Sequence, residues 1–98
     1  MLTRDEAARF AIMSSTDDTA DAISPAQIRA ARALLDWTVV DAASRMGLGK
    51  NTLNRIETGR SVASERTLRD IVAVFEDAGI RFVSTGNAQG VLIQSEGE

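Results

Sequence analysis

Residues 38–60 read TVVDAASRMGLGKNTLNRIETGR, a pattern that predicts two short helices joined by a tight turn. Thr38 can cap the first helix, because its hydroxyl can accept a hydrogen bond from the backbone amide of Asp41 three residues later. Gly47 then stands where a helix end favours a residue that tolerates left-handed backbone angles. The second helix is expected to cover residues 50–58, directly after this turn.

The second of these helices has two different faces. Leu53 and Ile56 are expected to point inward, whereas the outward positions are polar or cationic. Arg and Lys side chains can donate to guanine, Asn can bond adenine, and Thr can reach a phosphate or a thymine methyl group. For each outward position the alternative is a solvent-exposed side chain without a function. The outward residues that favour nucleic-acid recognition are Lys50, Asn51, Thr52, Asn54 and Arg55.

With its closing RIETGR at 55–60, this segment resembles the helix-turn-helix of the phage Cro and C1 repressor group, the XRE family. The resemblance extends over 24–79. It implies a mainly α-helical, lambda-repressor-like bundle of about four helices, followed by a short C-terminal β-hairpin or dimerising strands. It implies base contacts from Lys50, Asn51 and Arg55. Phosphate or mixed contacts are then expected from Thr52, Asn54, Arg60, Thr38 and Arg45.

The same resemblance implies a structural pair, in which Arg32 of the preceding helix bonds Glu57 near the end of the second motif helix. The segment departs from the family pattern at two positions. Val39 stands where a Gln usually braces a phosphate, and Gly49 stands where Ser or Thr usually caps the second helix. Two consequences are open: either the affinity for DNA is modest, or Arg45 and backbone amides supply the phosphate contacts that these departures remove.

The length and composition restrict the classes of function. Ninety-eight residues predict one domain with a single modest core. Neither cysteine nor histidine is present, which excludes disulfides, thiolate metal sites and the commonest general base. We therefore expect no metal, no cofactor and no enzymatic activity.

The formal charge of −3 argues at first against a partner with a phosphate backbone. The distribution of charge along the chain reverses that argument. Residues 24–70 hold eight cations and five acids, whereas 1–23 and 71–98 each carry a net charge of −3. The positive charge therefore lies on the helix-turn-helix segment, although without the motif so small an excess would favour a merely solvated surface.

The N-terminal residues predict an accessory element. Residues 1–13 can form a short helix with an apolar stripe that includes Phe10, and residues 14–21 resemble an acidic linker. No apolar run suits a signal peptide or a membrane span, so we expect a cytoplasmic protein without membrane contact. The expected division is residues 1–22 as N-terminal helix and linker, 23–79 as DNA-binding domain, and 80–98 as strands and tail with a possible role in dimerisation.

Two further helices are expected to flank the motif. Ser24 and Pro25 have the residue types of an N-cap and a first helical turn, and a second helix is expected over 64–78. Arg66 and Arg69 lie near the start of that helix. They are suited either to a phosphate contact or to exposed pairing with neighbouring acids. Residues with apolar spacing that should close the core are Ile28, Ala31, Leu35, Trp37, Leu68, Ile71, Val72 and Phe75.

After Gly79 the apolar period changes from that of a helix to that of strands. Short β-type runs are expected at 80–83 and 91–94, separated by the turn-rich STGNAQG. Two strands alone are marginal, so they require a neighbour. This neighbour is either the helices of the same domain or the same strands of a second subunit, and open strand edges favour the second arrangement.

These residues favour a sequence-specific, DNA-binding transcriptional regulator. We expect a repressor that binds a palindromic or pseudopalindromic operator in double-stranded DNA as a homodimer. The alternative is a protein–protein interaction module on a helix-turn-helix scaffold, such as an antiactivator or an antitoxin, with a protein partner at the N-terminal segment. An enzyme is disfavoured, because no nucleophile is paired with a base.

Overall fold

The structure, a computed structural model, describes residues 23–94 of the 98-residue chain. The expected N-terminal helix, the acidic linker and the tail at 95–98 lie outside the described residues. The described elements, in chain order, are α1 Pro25–Leu34, α2 Val39–Met46, α3 Lys50–Glu57, α4 Glu65–Asp77, β1 Ile80–Ser84 and β2 Gln89–Ile93. The predicted fold class, a mainly α-helical bundle with a C-terminal hairpin, is confirmed.

Local side-chain chemistry sets where the first two helices begin. The Ser24 hydroxyl accepts from the amide of Gln27, whose side chain accepts in return from the amide of Ser24. Thr38 and Asp41 make the same reciprocal pair at the start of α2. Each capping box satisfies two amides that a helix start leaves without an intrahelical acceptor.

The turn between α2 and α3 depends on its first glycine. Gly47 ends α2 with a φ of 71°, in the left-handed region that favours glycine, as predicted. Leu48 is half-buried against the core, and Gly49 is the N-cap of α3 without a side-chain hydrogen bond. α3 begins at Lys50 and ends one residue earlier than expected, because Thr58 is its C-cap.

One apolar core joins the helices and the hairpin. Phe75 of α4 is fully buried, and its ring stacks on Trp37 at a centroid distance of 5.7 Å. Phe82 of β1 meets the ring of Phe75 edge to face at 5.9 Å. The predicted packing role of Trp37 is therefore observed, and the aromatic cluster links the α1–α2 corner to the hairpin.

The two strands form an antiparallel hairpin in which Phe82 is paired with Val91. The hairpin packs on helices of its own chain. The side-chain amide of Gln27 in α1 donates to the carbonyls of Val83 and Gly90 at 3.2 and 3.0 Å, which joins α1 to both strands. The strands thus have an intrachain neighbour, which was the less favoured of the two expected arrangements. None of the helices within 23–94 has the length and apolar character that crossing a bilayer requires.

Candidate nucleic-acid interface

The helix α3 is attached to the domain by one face. Leu53 is fully buried, and Ile56 and Glu57 are 5% and 2% exposed. Leu53 and Ile56 lie three residues apart, so they fall on the same side of the helix and pack into the core. The opposite side of α3 therefore faces solvent.

The solvent face of α3 carries side chains that the fold does not use. All five outward residues predicted from the sequence are exposed. Within residues 23–94 none of their side chains forms a hydrogen bond or an ion pair. Their donors and acceptors are therefore available to a ligand. These residues are Lys50, Asn51, Thr52, Asn54 and Arg55.

The C-terminal end of α3 is bound to α1 through an ion pair. Nε of Arg32 donates to Oε2 of Glu57 at 2.9 Å, and Nη2 donates to Oε1 at 3.0 Å. The third nitrogen of Arg32, Nη1, donates to the carbonyl of Trp37 at 3.0 Å. This fork-to-fork geometry, with a carboxylate that is almost fully buried, orients α3 relative to α1.

A second arginine of α1 acts on the same residue of α3. Nη1 of Arg29 donates to the backbone carbonyl of Glu57. That carbonyl belongs to the last turn of α3, where helix carbonyls lack intrahelical donors and the helix dipole favours a cation. Sequence reasoning missed this contact, because Arg29 and Glu57 lie 28 residues apart and no local pattern links them.

Thr38 and Arg45, both expected to contact phosphate, have partners inside the domain. The Thr38 hydroxyl accepts from the amide of Asp41. The guanidinium of Arg45 lies over the ring of Trp37, with 4.4 Å between its Cζ and the ring centroid. Both residues are nevertheless exposed. The Arg45 N–H groups that point away from the ring can therefore still reach an anion.

The remaining cations divide into two groups by their partners. Arg29 and Arg32 bond Glu57, and Arg69 pairs with Glu65 at 3.7 Å on an exposed surface. Arg81 donates to backbone carbonyls of α4 and β1. A second group has no intrachain partner among the described residues and is exposed. This group lies on α3, on the loop after it and at the start of α4: Lys50, Arg55, Arg60 and Arg66.

The positions of the unpartnered cations follow from the chain path. The loop after α3 turns at Gly59, whose φ is 76°, and the amides of Arg60 and Ser61 then donate to the carbonyl of Arg55. The turn keeps Arg60 beside the end of α3. Ser64 caps α4, so that Arg66 lies in its first turn. Arg60 therefore extends the cationic surface of α3 at its C-terminal end.

The match to known proteins covers the same four helices. A model of the helix-turn-helix domain family matches residues 26–76, from the first turn of α1 to the last turn of α4. No curated protein matches the chain closely enough to serve as a relative. In helix-turn-helix domains the second motif helix, here α3, lies in the DNA major groove. Because the family match takes in more than half of the chain, this protein belongs to the helix-turn-helix domain family, a class of DNA-binding domain.

Proposed function

We propose that this protein is a sequence-specific, DNA-binding transcriptional regulator that places α3 in the major groove. One observation carries the proposal. The exposed face of α3 bears five polar or cationic side chains without intrachain partners, while its other face is fixed by Leu53, Ile56 and Glu57. A rigid helix with unused donors and acceptors meets the requirement for reading base edges.

In this proposal the outward residues have different tasks. Lys50, Asn51 and Arg55 contact base edges, where Arg and Lys suit guanine and Asn suits adenine. Thr52, Asn54 and Arg60 make phosphate or mixed contacts, and these fix the register of the domain on the duplex. Thr38 and Arg45 add phosphate contacts from α2.

The charge distribution supports a phosphate-bearing partner. The net charge of residues 24–70 is +3, and the cations without intrachain partners lie on α3, on the loop after it and in the first turn of α4. Each phosphate that a Lys or Arg neutralises releases a condensed counterion, so binding should weaken steeply as salt rises. The acidic remainder of the chain would repel DNA, which favours approach by this face alone.

The regulator acts as a homodimer in this proposal. Two copies of α3 would occupy successive major grooves of a palindromic or pseudopalindromic operator, with half-sites about 34 Å apart or a multiple of that distance. Repression by occlusion of the polymerase is the simplest consequence of such binding. We propose that the protein is cytoplasmic, where it has access to operator DNA.

Selection of binding sites from a random DNA pool tests the proposal. The full chain should enrich a defined sequence, and Arg55→Ala and Asn51→Ala should each lose preference at particular base pairs. Arg81→Ala is the matched control, because it removes the same charge from the hairpin and should leave the selected sequence unchanged. No enrichment would overturn the proposal and favour a protein-interaction role, whereas the same enriched sequence for all four proteins would overturn the placement of α3 in the major groove.

A further inference from the structure

The hairpin has an open edge on β2. The amide of Gln94 donates to the carbonyl of Gly79 at 2.8 Å, so these two residues are a hydrogen-bonded pair of the antiparallel ladder. Hydrogen-bonded and non-hydrogen-bonded pairs alternate along such a ladder. The backbone N–H and C=O groups of Gln89, Val91 and Ile93 therefore point away from β1. Among the described residues no further strand pairs with them.

A groove runs beside this open edge. It lies between one face of α1 and the strand β2, with a volume of ≈ 520 Å³. The ten residues of α1 span about 15 Å and the five of β2 about 17 Å, so the two walls are matched in length. An extended segment of about five residues fits between such walls. The residues that line the groove include Ala26, Ala30, Ala33, Leu34, Gly90 and Val91.

The groove is lined mainly by apolar side chains, with Gln27 and Gln89 as its polar residues. Leu34, which lines the groove, is 43% exposed, and Leu92 and Ile93 of β2 are 41% and 45% exposed on opposite faces of the sheet. No Lys, Arg, Asp or Glu of residues 23–94 lines the groove. This part of the molecule thus contains a groove that can hold an extended strand, and it also contains β2, whose apolar side chains are exposed. A two-fold axis could place identical copies here without opposing like charges.

We infer that the groove receives β2 of a second copy of this chain, so that the two hairpins form one four-stranded antiparallel sheet. This inference rests on the proposed function, because it gives the DNA-binding homodimer its interface. The register follows from the open edge. Val91 lies opposite the partner subunit's Val91, and Gln89 lies opposite the partner subunit's Ile93. In this register the backbone groups of Gln89, Val91 and Ile93 that point away from β1 all form hydrogen bonds with the partner strand. A shift along the strand would leave some of these groups unpaired.

The alanines of α1 suit this arrangement. In the inferred register the partner subunit's Ile93 enters the groove beside Gln89, next to the N-terminal half of α1. Ala26, Ala30 and Ala33 recur at the i, i+4 and i+7 positions of one helix face. Their short side chains leave room for the incoming strand and for the second α1, which lies on the same side of the joined sheet. A larger or charged side chain in place of Ala30, the middle alanine, would obstruct both the incoming strand and the second α1.

Sedimentation of the full chain without DNA tests the location of the interface. Ala30→Glu places a buried charge at the centre of the groove, and it should raise the dimer dissociation constant by about a hundredfold or more. Ala73→Glu is the matched control, because Ala73 is an exposed helical alanine of α4 outside the groove. It should leave the constant within about twofold. Equal effects of the two variants, or a wild-type chain that stays monomeric at all concentrations, would overturn the inference.

Thiol crosslinking tests the register, since the chain has no cysteine of its own. Val91→Cys brings two thiols face to face across the axis, at a Cα separation of about 5.5 Å that a disulfide or a short bifunctional reagent can span. Ile93→Cys separates the two thiols by four positions along the ladder, about 14 Å. Crosslinked dimer should therefore form with Val91→Cys and not with Ile93→Cys. The reverse result would overturn the inferred pairing.

These outcomes are separate from those for DNA recognition. If a chain that remains monomeric still selects a defined sequence, the inferred interface fails and the proposed function stands. If the chain forms the Val91→Cys crosslink but selects no DNA sequence, the proposed function fails and the strand pairing stands.

Discussion

The carboxylate of Glu57 and the guanidinium of Arg32 form a two-point ion pair at 2.9 and 3.0 Å, and this pair joins the end of α3 to α1. The carboxylate is 2% exposed, whereas the arginine is 23% exposed. A buried carboxylate that lost its partner would remain desolvated and uncompensated. The pair therefore maintains the angle at which α3 presents its outward face.

Arg32→Ala should lower the free energy of unfolding by about 3 kcal/mol or more, because the almost fully buried carboxylate of Glu57 is left without its ion-pair partner. Glu65→Ala is the control, since it removes a carboxylate from the exposed pair with Arg69 and should cost less than about 1 kcal/mol. Urea unfolding followed by the fluorescence of Trp37, the single tryptophan, measures both. Similar losses in the two variants would contradict a special role for the buried pair.

Arg55 and Arg60 should differ in the kind of DNA binding that they support. Arg55→Ala should cost about 1–3 kcal/mol on the preferred sequence and little on other sequences, because it removes a base contact. Arg60→Ala should weaken binding to all sequences alike and reduce the slope of log K against log salt by about 1. Titrations with specific and random duplexes over a salt series distinguish the two. If both variants behaved alike, the assigned division between base and phosphate contacts would be wrong.

Local chemistry made the helix-turn-helix predictable from the sequence. The caps at Ser24 and Thr38, the left-handed Gly47 and the inward pair Leu53 and Ile56 each depend on residues within four positions of one another. Such interactions have the same geometry in any protein, so a sequence pattern suffices to find them. The exposed row on α3 then follows from helical periodicity.

Contacts between distant residues were beyond the reach of local sequence patterns, and only the Arg32–Glu57 pair was expected, from the family resemblance. Gln27 was not expected in the core, yet its amide bonds two hairpin carbonyls that lie 56 and 63 residues away. The contact of Arg29 with Glu57 and the position of Arg45 over Trp37 likewise depend on how whole helices pack. Periodicity identifies the side of an element that is buried, but not the element that covers it.

The same substitution should have opposite effects at two glycines of the motif turn. Gly47→Ser forces a side chain into a φ of 71° and should cost about 1–2 kcal/mol, although nothing lies within 4 Å of the added Cβ. Gly49→Ser, at a φ of −74°, should stabilise the protein by on the order of a few tenths of a kcal/mol, because it supplies the cap that α3 lacks. Thermal unfolding of both variants measures the difference. Destabilisation by Gly49→Ser would show that the cap position does not accept a side chain.

Gln27 should couple α1 to the hairpin. Gln27→Leu removes the donor shared by Val83 and Gly90 and should cost about 1–3 kcal/mol. Gln27→Glu should cost more, because a carboxylate would face two carbonyl oxygens. Amide hydrogen exchange should accelerate more in the hairpin than at Leu53 in α3. A uniform acceleration over both would indicate global destabilisation without a specific coupling.

Arg45 should contribute both to stability and to DNA binding, and two substitutions separate these contributions. Its guanidinium covers the Trp37 ring, so Arg45→Ala should lower the free energy of unfolding by about 0.5–1 kcal/mol and shift the tryptophan emission. If its outer N–H groups contact phosphate, the same variant should also reduce the salt slope of DNA binding by about 1. Arg45→Lys keeps the charge but loses the planar stack, so it should restore the slope while the emission remains shifted. A slope that is the same for Arg45→Ala and the wild type would limit Arg45 to its packing role on Trp37.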